Sequence, residues 1–299
     1  VVEHLVRNQR VASSTLVIST KYTLKTLVKT LEEFLKLHGI LTLEAFMKII
    51  TWNISYFTKF EPKLKLLKSK VLNDSFIIIL QEVKRSVYLD LLNEFNNQNI
   101  SYSLNIRKPG KFDTGSRKLG IVIIYSKEFK LLEERVYERA LLPERTLFVR
   151  LKKGTQEFKV LGLHSITGVD HKKAKSIQFY SFAEAIEELK PDIVGIDANE
   201  PKIDANLLKE TVFNDNRDKG QGAKTFFETM DNNGLEDYAR IMFKKENEND
   251  YLIPSIKFKG GKFKRYDHLL VNFKVKSIDY LMNESLEASS DHALVIIDK

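Results

Sequence analysis

Cysteine is absent from all 299 residues, which rules out a disulfide framework, a thiol nucleophile and a thiolate metal site. That absence fits a reducing compartment. No apolar run approaches the length needed to cross a membrane, and Glu3 and His4 interrupt the stretch where a secretory signal would carry its apolar region. A cytoplasmic location and no membrane partner are therefore expected. Acidic residues fall short of basic ones, 40 against 48. The net charge of +8 points to an anionic partner, of which nucleic acid is the commonest. Repeats and low-complexity segments are missing as well. Apolar side chains are plentiful, 43% of the chain, enough for a sizeable core and for one large α/β domain or one and a half smaller ones.

Residues 1–46 differ in pattern from the rest of the chain. Leu24, Leu27, Val28, Leu31, Phe34 and Leu35 recur at helical spacing, and Gly39 sits where a helix cap belongs. The pattern predicts an amphipathic helix over about Thr23 to His38. Such an extension either packs on the main domain or forms a small helical module that contacts DNA or a partner protein. Met47 precedes a strong strand and is expected to open the main unit, residues 47–299.

From Met47 onward the periodicity predicts strands at Lys48–Trp52, Phe76–Leu80, Tyr102–Ile106, Leu119–Tyr125, Thr146–Leu151, Phe158–Leu163, Ile193–Ile196, His268–Val271, Ile278–Met282 and Ala293–Ile297. Helices are predicted over Lys175–Leu189, Ala205–Thr211 and Ala223–Arg240, the last broken near Asn232-Asn233-Gly234. Many strands with interspersed helices predict two packed sheets covered by helices.

Polar residues cluster at the ends of these apolar runs: Asn53, Glu82, His164, Asp197 with Asn199, Asp267 with His268, and Asp291 with His292. The centre of the pattern is Asp192-Ile-Val-Gly-Ile-Asp197-Ala-Asn199-Glu-Pro201. Its apolar run reads as a buried strand that drops an acid and an amide at its carboxyl end, where α/β proteins bind ligands. Two residues apart on an extended chain, Asp197 and Asn199 would project to the same side and could take a proton from a water and hold it. His268, beside Asp267, should point to the opposite face and pack.

Thr51-Trp-Asn53-Ile-Ser55, Leu80-Gln-Glu82, Gly162-Leu-His164-Ser165, Gly195-Ile-Asp197-Ala-Asn199, Arg265-Tyr-Asp267-His268 and Ser290-Asp291-His292 resemble the ordered motifs of the endonuclease/exonuclease/phosphatase superfamily. The resemblance runs from about Met47 to the C-terminus. It implies an α/β four-layer sandwich of two packed mixed β-sheets flanked by helices, here with an N-terminal helical extension. It also implies that Glu82 is the principal ligand of Mg²⁺ or Mn²⁺, with Asn53 and Asp291 completing its surroundings, as suits a hard ion that keeps several waters. Asp197 would activate the attacking water and Asn199 would hydrogen-bond that water or the phosphate. Asp267 would hold His292, which would contact the phosphate or move a proton. His164 would be a second donor to the phosphoryl oxygens.

The chain departs from that pattern in two places. His164 stands where the exonuclease III and abasic-site branch has tyrosine, so the chain is more similar to the deoxyribonuclease I and phosphatase side. There a glutamate supports the histidine, but Ser116-Arg117-Lys118-Leu119 offers no carboxylate. His164 is therefore expected to bind phosphate rather than carry a proton.

Charge in the loops bears on the substrate. Lys257, Lys259, Lys262, Lys264 and Arg265, with Phe258 and Phe263 among them, lead straight into Asp267. Arg107-Lys-Pro-Gly-Lys-Phe112, Arg117-Lys118 and His171-Lys-Lys-Ala-Lys175 add further basic residues. These could neutralise backbone phosphates while a phenylalanine stacks on a base. A lysine-edged β-hairpin that avoids edge pairing is the plainer account. The function expected is metal-dependent hydrolysis of DNA to 5′-phosphate and 3′-hydroxyl ends. The alternatives are hydrolysis of a smaller phosphate ester (nucleotide, inositol phosphate or lipid headgroup) and a DNA- or protein-binding module whose catalytic apparatus is vestigial.

Overall fold

The computed structural model describes residues 47–71, 75–96, 98–107, 118–214, 219–245 and 251–299, with 168–172 by backbone alone. The helix predicted over Thr23 to His38 and the loop residue Arg117 lie outside them. Thirteen strands are described. They are β1 (Met47–Asn53), β2 (Ser75–Val83), β3 (Asn99–Tyr102), β4 (Gly120–Tyr125), β5 (Lys130–Arg135), β6 (Thr146–Lys153), β7 (Gln156–His164), β8 (Ile193–Asp197), β9 (Ile256–Lys257), β10 (Phe263–Lys264), β11 (Asp267–Val271), β12 (Ser277–Leu281) and β13 (Leu294–Asp298).

Eleven of these form two sheets, in the orders β12-β13-β1-β2-β4-β3 and β11-β8-β7-β6-β5, while β9 and β10 make a separate hairpin. Each large sheet is mixed: β1–β2 and β7–β8 run parallel, the other pairs antiparallel. Alternate residues of both sheets meet in one core that includes Ile49, Ile77, Ile123 and Val295 from the first and Val149, Val160, Ile193 and Leu269 from the second. The first sheet's other face buries Ile50, Ile78 and Leu80 with Leu67 and Leu91 of the helices Glu61–Val71 and Arg85–Glu94. The second sheet's other face buries Leu161, Val194 and Ile196 under Phe179, Phe182 and Phe226 of the helices Gly168–Leu189 and Gln221–Asn232. Four layers result: helix, sheet, sheet, helix. Apolar residues on both sides of a strand explain why β2 and β8 read as continuous apolar runs rather than alternations.

Glycines inside the motifs set how closely the sheets approach. A Cβ at Gly162 would lie 2.7 Å from Ile121 Cγ2, and one at Gly195 would lie 2.7 Å from Thr51 Oγ1. Neither distance is tolerable, so a side chain at these positions would push the layers, and the strand ends they carry, apart.

Several local expectations need correction. The strand predicted over Tyr102–Ile106 is the end of β3 followed by a helical turn, Ser103–Ile106. The alternating Tyr102, Leu104 and Ile106 mimic a strand, but Ser103 leaves the ladder: its hydroxyl donates to the Glu144 carbonyl and accepts from the Ile121 amide, both at 2.8 Å. The helix predicted over Ala205–Thr211 shrinks to a single turn, Leu208–Glu210. β5 falls outside the predicted strands, because its sequence KLLEER is an edge strand with only partial burial.

Candidate active site

The strand ends carrying the polar residues meet at one rim of the sandwich. The register sets His164 opposite Asp197 and Asp197 opposite Asp267. In the other sheet Asn53 lies beside Gln81 at the ends of β1 and β2, and Asp291 and His292 lead into β13.

Hydrogen bonds join the two sheets across this rim. Asn53 Nδ2 donates to Asp197 Oδ2 at 2.8 Å. His292 Nδ1 lies 2.9 Å from Asp267 Oδ2, and His164 Nε2 lies 3.6 Å from both Glu82 Oε1 and Asp197 Oδ2. The small hydroxyls of the motifs act as braces. Ser290 Oγ donates to the Asn53 carbonyl (2.9 Å) and accepts from the His292 amide (3.2 Å), and Trp52 Nε1 donates to the His292 carbonyl (2.9 Å). Ser255 Oγ donates to Asp267 Oδ2 at 2.8 Å.

Two of the site residues depart from extended backbone. Glu82 has φ of 61° and Asn199 has φ of 52°, a left-handed conformation that costs about 1–3 kcal/mol for such residues. Glu82 is turned by a bulge where the β2–β4 register shifts between Leu80 and Val83, a device that re-aims side chains near sites. Asp197 and Asn199 therefore do not lie on one side of an extended chain, as the sequence suggested. The chain curls back instead, so that the Asn199 amide donates to Asp197 Oδ1 at 3.0 Å. The Asn199 carboxamide spends its hydrogens on the Ser165 carbonyl (2.9 Å) and on Asp197 Oδ2 (3.4 Å), which makes it an orienter of Asp197.

The electrostatics separate the roles. Burial pushes the Asp197 carboxyl up to about 6, with Asp267 adding to the rise and His292 opposing it. Burial works against a charge on His292, but Asp267 and Asp197 outweigh it and carry the imidazole to about 10. Burial, then the charges of Arg145 and His292, hold His164 well below the ordinary imidazole range. Burial also raises Glu82, against His292 and together with Asp197. Near neutral pH this gives a charged His292 and a neutral His164 within a buried cluster of carboxyl groups.

Neither a protein-family model nor a curated protein sequence matches the chain. Solved structures do. A D. rerio TDP2 structure with single strand DNA product matches at TM-score 0.58 and 14% identity, covering 85% of this chain and 99% of that one. The human Nocturnin catalytic domain with bound sulfate matches at TM-score 0.57 and 16% identity, covering 85% and 93%. The Neisseria 3′ phosphatase NExo bound to a product DNA hairpin matches at TM-score 0.58 and 17% identity, covering 84% and 98%. This chain has the endonuclease/exonuclease/phosphatase fold. At such identities the likeness is one of architecture, and the chemistry is argued from this chain's own residues.

On that fold, the oxygens of Glu82, Asn53 and Asp291 are the donors that suit a hard divalent ion. Glu82 accepts from the Tyr56 amide at 3.2 Å, Asp291 from the Ser55 hydroxyl, and Asn53 Oδ1 from the Ser55 amide at 2.9 Å. The burial-raised Glu82 beside Asp197 marks negative charge that a cation would offset, so the donor set fits. Asp197, Asp267 and His292 also bring one ligand atom each within 4.8 Å of one another. There the hydrogen bond to Asp267 already occupies His292 Nδ1, as expected of a proton network.

The basic residues divide into two groups. Lys118, Lys257, Lys259 and Lys262 are exposed and Lys264 is half-buried. The β9–β10 hairpin carries the last four directly beside the site, since the Lys257 amide donates to the Asp291 carbonyl at 2.9 Å. Arg265 requires correction: it is 0% exposed, its Nε donates to Asp204 Oδ2 at 2.6 Å and its Nη2 to Asp237. It cannot reach a nucleic acid, because its side chain points into the sandwich from the residue after the hairpin. Lys175 is likewise buried, donating to Glu200 Oε1 (2.6 Å) and to the Asn199 carbonyl (2.8 Å), and Arg107 is buried beside Glu144 at 3.8 Å. His268 is packed, as expected, against the edge of Phe227. Among the described residues, no helix is long and apolar enough to cross a membrane.

Sequence reasoning missed Arg145. Its Nη1 lies 2.6 Å from His164 Nδ1 and it is buried beside Glu82, Glu144 and Asp197. Counting back along the β6–β7 hairpin from its turn at Gly154 would have set Arg145 opposite His164.

Proposed function

We propose that this chain is a metal-dependent phosphodiesterase acting on nucleic acid, in the first place a DNA nuclease that leaves 5′-phosphate and 3′-hydroxyl ends. One observation carries this: Asp197, a buried carboxylate with a pKa raised to about 6, shares its pocket with the charged Asp267–His292 pair and the neutral His164. Asp197, held by Asn53 and Asn199, takes a proton from the attacking water. A base with a pKa just below working pH is suited to this, being both unprotonated and basic. His292, oriented by Asp267, presents its positive charge and Nε2–H to the phosphoryl group and supplies the proton to the leaving oxygen. His164 offers a neutral N–H to the same group as charge grows. Glu82, Asn53 and Asp291 would hold Mg²⁺ or Mn²⁺, which when bound neutralises phosphoryl charge.

Nucleic acid is favoured over a small ester by the rim. Lys264 lies over Phe258 (5.1 Å) and Lys257 over Phe263 (5.8 Å). On the loop after Asn53, Tyr56 and Phe57 are 41% and 65% exposed, with Lys84 over the Tyr56 ring at 4.5 Å. Exposed rings backed by lysines are what stacks bases and follows a phosphate backbone. Two of the similar structures hold DNA product. End-labelled single-stranded DNA, duplex DNA, RNA and bis(4-nitrophenyl) phosphate, incubated with Mg²⁺, test the proposal. It expects DNA to be the best substrate, with ligatable 5′-phosphate ends. Cleavage of the small ester alone would move the assignment to that class, and binding of DNA without cleavage would favour a vestigial site.

A further inference from the structure

Lys63 lies in the first turn of the helix Glu61–Val71 and is 1% exposed, although an ammonium group loses its hydration when buried. An apolar side chain of similar volume would fill the space without that cost. Only the contacts of the charged head can offset it. Nζ donates to the Ser55 carbonyl at 3.0 Å and to the Thr58 hydroxyl. Both groups belong to the turn that follows Asn53. Thr58 Oγ1 in its turn donates to the Ser289 carbonyl at 2.6 Å, two residues before Asp291.

That turn touches all three side chains whose oxygens suit a divalent ion. Ser55 has φ of 47°, a left-handed backbone that persists only where its surroundings fix it. Its amide donates to Asn53 Oδ1 at 2.9 Å and its hydroxyl to Asp291 Oδ1. The next amide, that of Tyr56, donates to Glu82 Oε2 at 3.2 Å. The Ser55 carbonyl and the Tyr56 amide are the two ends of one planar peptide unit and point in opposite directions. Lys63 therefore grips one end of that plane and Glu82 the other. Rotating the plane would break both bonds together.

Building on the metal-dependent phosphodiesterase reading, we propose that Lys63 is a positioning residue for the metal site. By holding the Ser55–Tyr56 peptide it fixes the oxygens of Glu82, Asn53 and Asp291 for a divalent cation, while bonding to none of those side chains itself. A simpler role would be electrostatic, with the ammonium as a counter-charge to Asp291 and Glu82, whose charges act on it. The two roles differ in sign. Removing a positive charge near the site favours a bound cation by Coulomb's law. Releasing the peptide instead loosens the ligands, at a loss of roughly 10–100-fold in metal affinity.

The test compares the full chain with Lys63→Met and with Lys65→Met, which removes an exposed lysine from the same helix. Binding of Mn²⁺ without substrate, followed by electron paramagnetic resonance, should weaken roughly 10–100-fold in Lys63→Met and stay within about twofold of the parent in Lys65→Met. Raising Mg²⁺ should bring the Lys63→Met kcat back to within about threefold of the parental value. A lysine with a structural role alone would lower the metal-free melting temperature and leave the Mn²⁺ affinity of the folded protein unchanged. Mn²⁺ affinity in Lys63→Met within about threefold of the parent's, or tighter, would overturn the proposal and leave the phosphodiesterase reading standing. A parent that binds Mn²⁺ but cleaves no phosphodiester would end that reading, while the binding comparison still decides Lys63. A parent that binds no Mn²⁺ would overturn the proposal together with the metal site. Should Lys63→Met fail to fold, Lys63→Gln, shorter and uncharged but polar, takes its place with the same expected loss and the same contrary result.

Discussion

Arg265 gives the sharpest test of how burial divides the basic residues. Replacing it with methionine keeps most of the volume but strips Asp204 and Asp237 of a partner on each, leaving Arg240 at 3.0 Å from Asp204 and 3.4 Å from Asp237. Breaking a buried ion pair from one side costs about 3–5 kcal/mol, and the surviving Arg240 places the loss at the lower end. For a domain of this size, a cost of about 3 kcal/mol corresponds to a fall in Tm of roughly 6–12 °C. Lys259→Ala, on the exposed hairpin tip, should stay within about 0.5 kcal/mol of the parent. The acid side gives a second readout. Burial pushes the Asp237 carboxyl up, but Arg265, His268 and Arg240 outweigh it and hold the group well below the carboxylate range. A depressed carboxylate contributes stability that is present above its unfolded pKa of about 4 and is lost as pH falls through the folded value. Arg265→Met should flatten that acid-side loss. Thermal melts from pH 7 down to about pH 2 measure both effects. A variant with parental Tm and weakened DNA binding would refute the structural role and return Arg265 to the phosphate contacts.

Other outcomes rest on the same geometry. Neutralising Lys257, Lys259, Lys262 and Lys264 together should cut the slope of log K against log salt by about 3, as each phosphate contact carries roughly 0.7–0.9; an unchanged slope would favour a small ester. The kcat–pH profile should fall below about pH 6 as Asp197 protonates and fall again on approach to about pH 10 as His292 loses its proton; a flat acid limb would remove Asp197 as the base. Asp267→Asn should shift the alkaline limb to lower pH by lowering the His292 pKa. Its effect on stability should have the sign of a raised imidazole pKa: the dyad's contribution is full below about pH 6.5 and disappears as pH rises towards 10.

How much was legible in the sequence depends on the distance over which each feature is encoded. β1, β2, β7, β8 and β13 were plain because strands buried on both faces need unbroken apolar runs, and the polar residue that ends each run is by construction at the rim. The braces in Thr51-Trp-Asn53 and Ser290-Asp291-His292 were visible as types, although only the folded chain shows that Trp52 and Ser290 tie the two segments to each other. The left-handed turn at Glu82 was not visible, since glutamate does not announce positive φ, whereas Asn199, a residue type that adopts it readily, was read as extended instead. Arg265 and Lys175 escape sequence reasoning for a related reason. A lysine- or arginine-rich stretch shows charge, but not which of its members turns inward to meet Asp204, Asp237 or Glu200 elsewhere in the chain. β5 was lost because an edge strand shares the composition of a loop.

The central claim is that Asp197 and the groups around it hydrolyse a phosphodiester with the help of a divalent ion. Cleavage of an end-labelled DNA strand by the parent and by Asp197→Asn, each with Mg²⁺ and with excess chelator, tests it most directly. The parent should cut in Mg²⁺ and stop in chelator, and Asp197→Asn should be slower by at least about 10²-fold while melting at or above the parental temperature. Chelator-insensitive cleavage, or an Asp197→Asn protein that cuts at the parental rate, would contradict it.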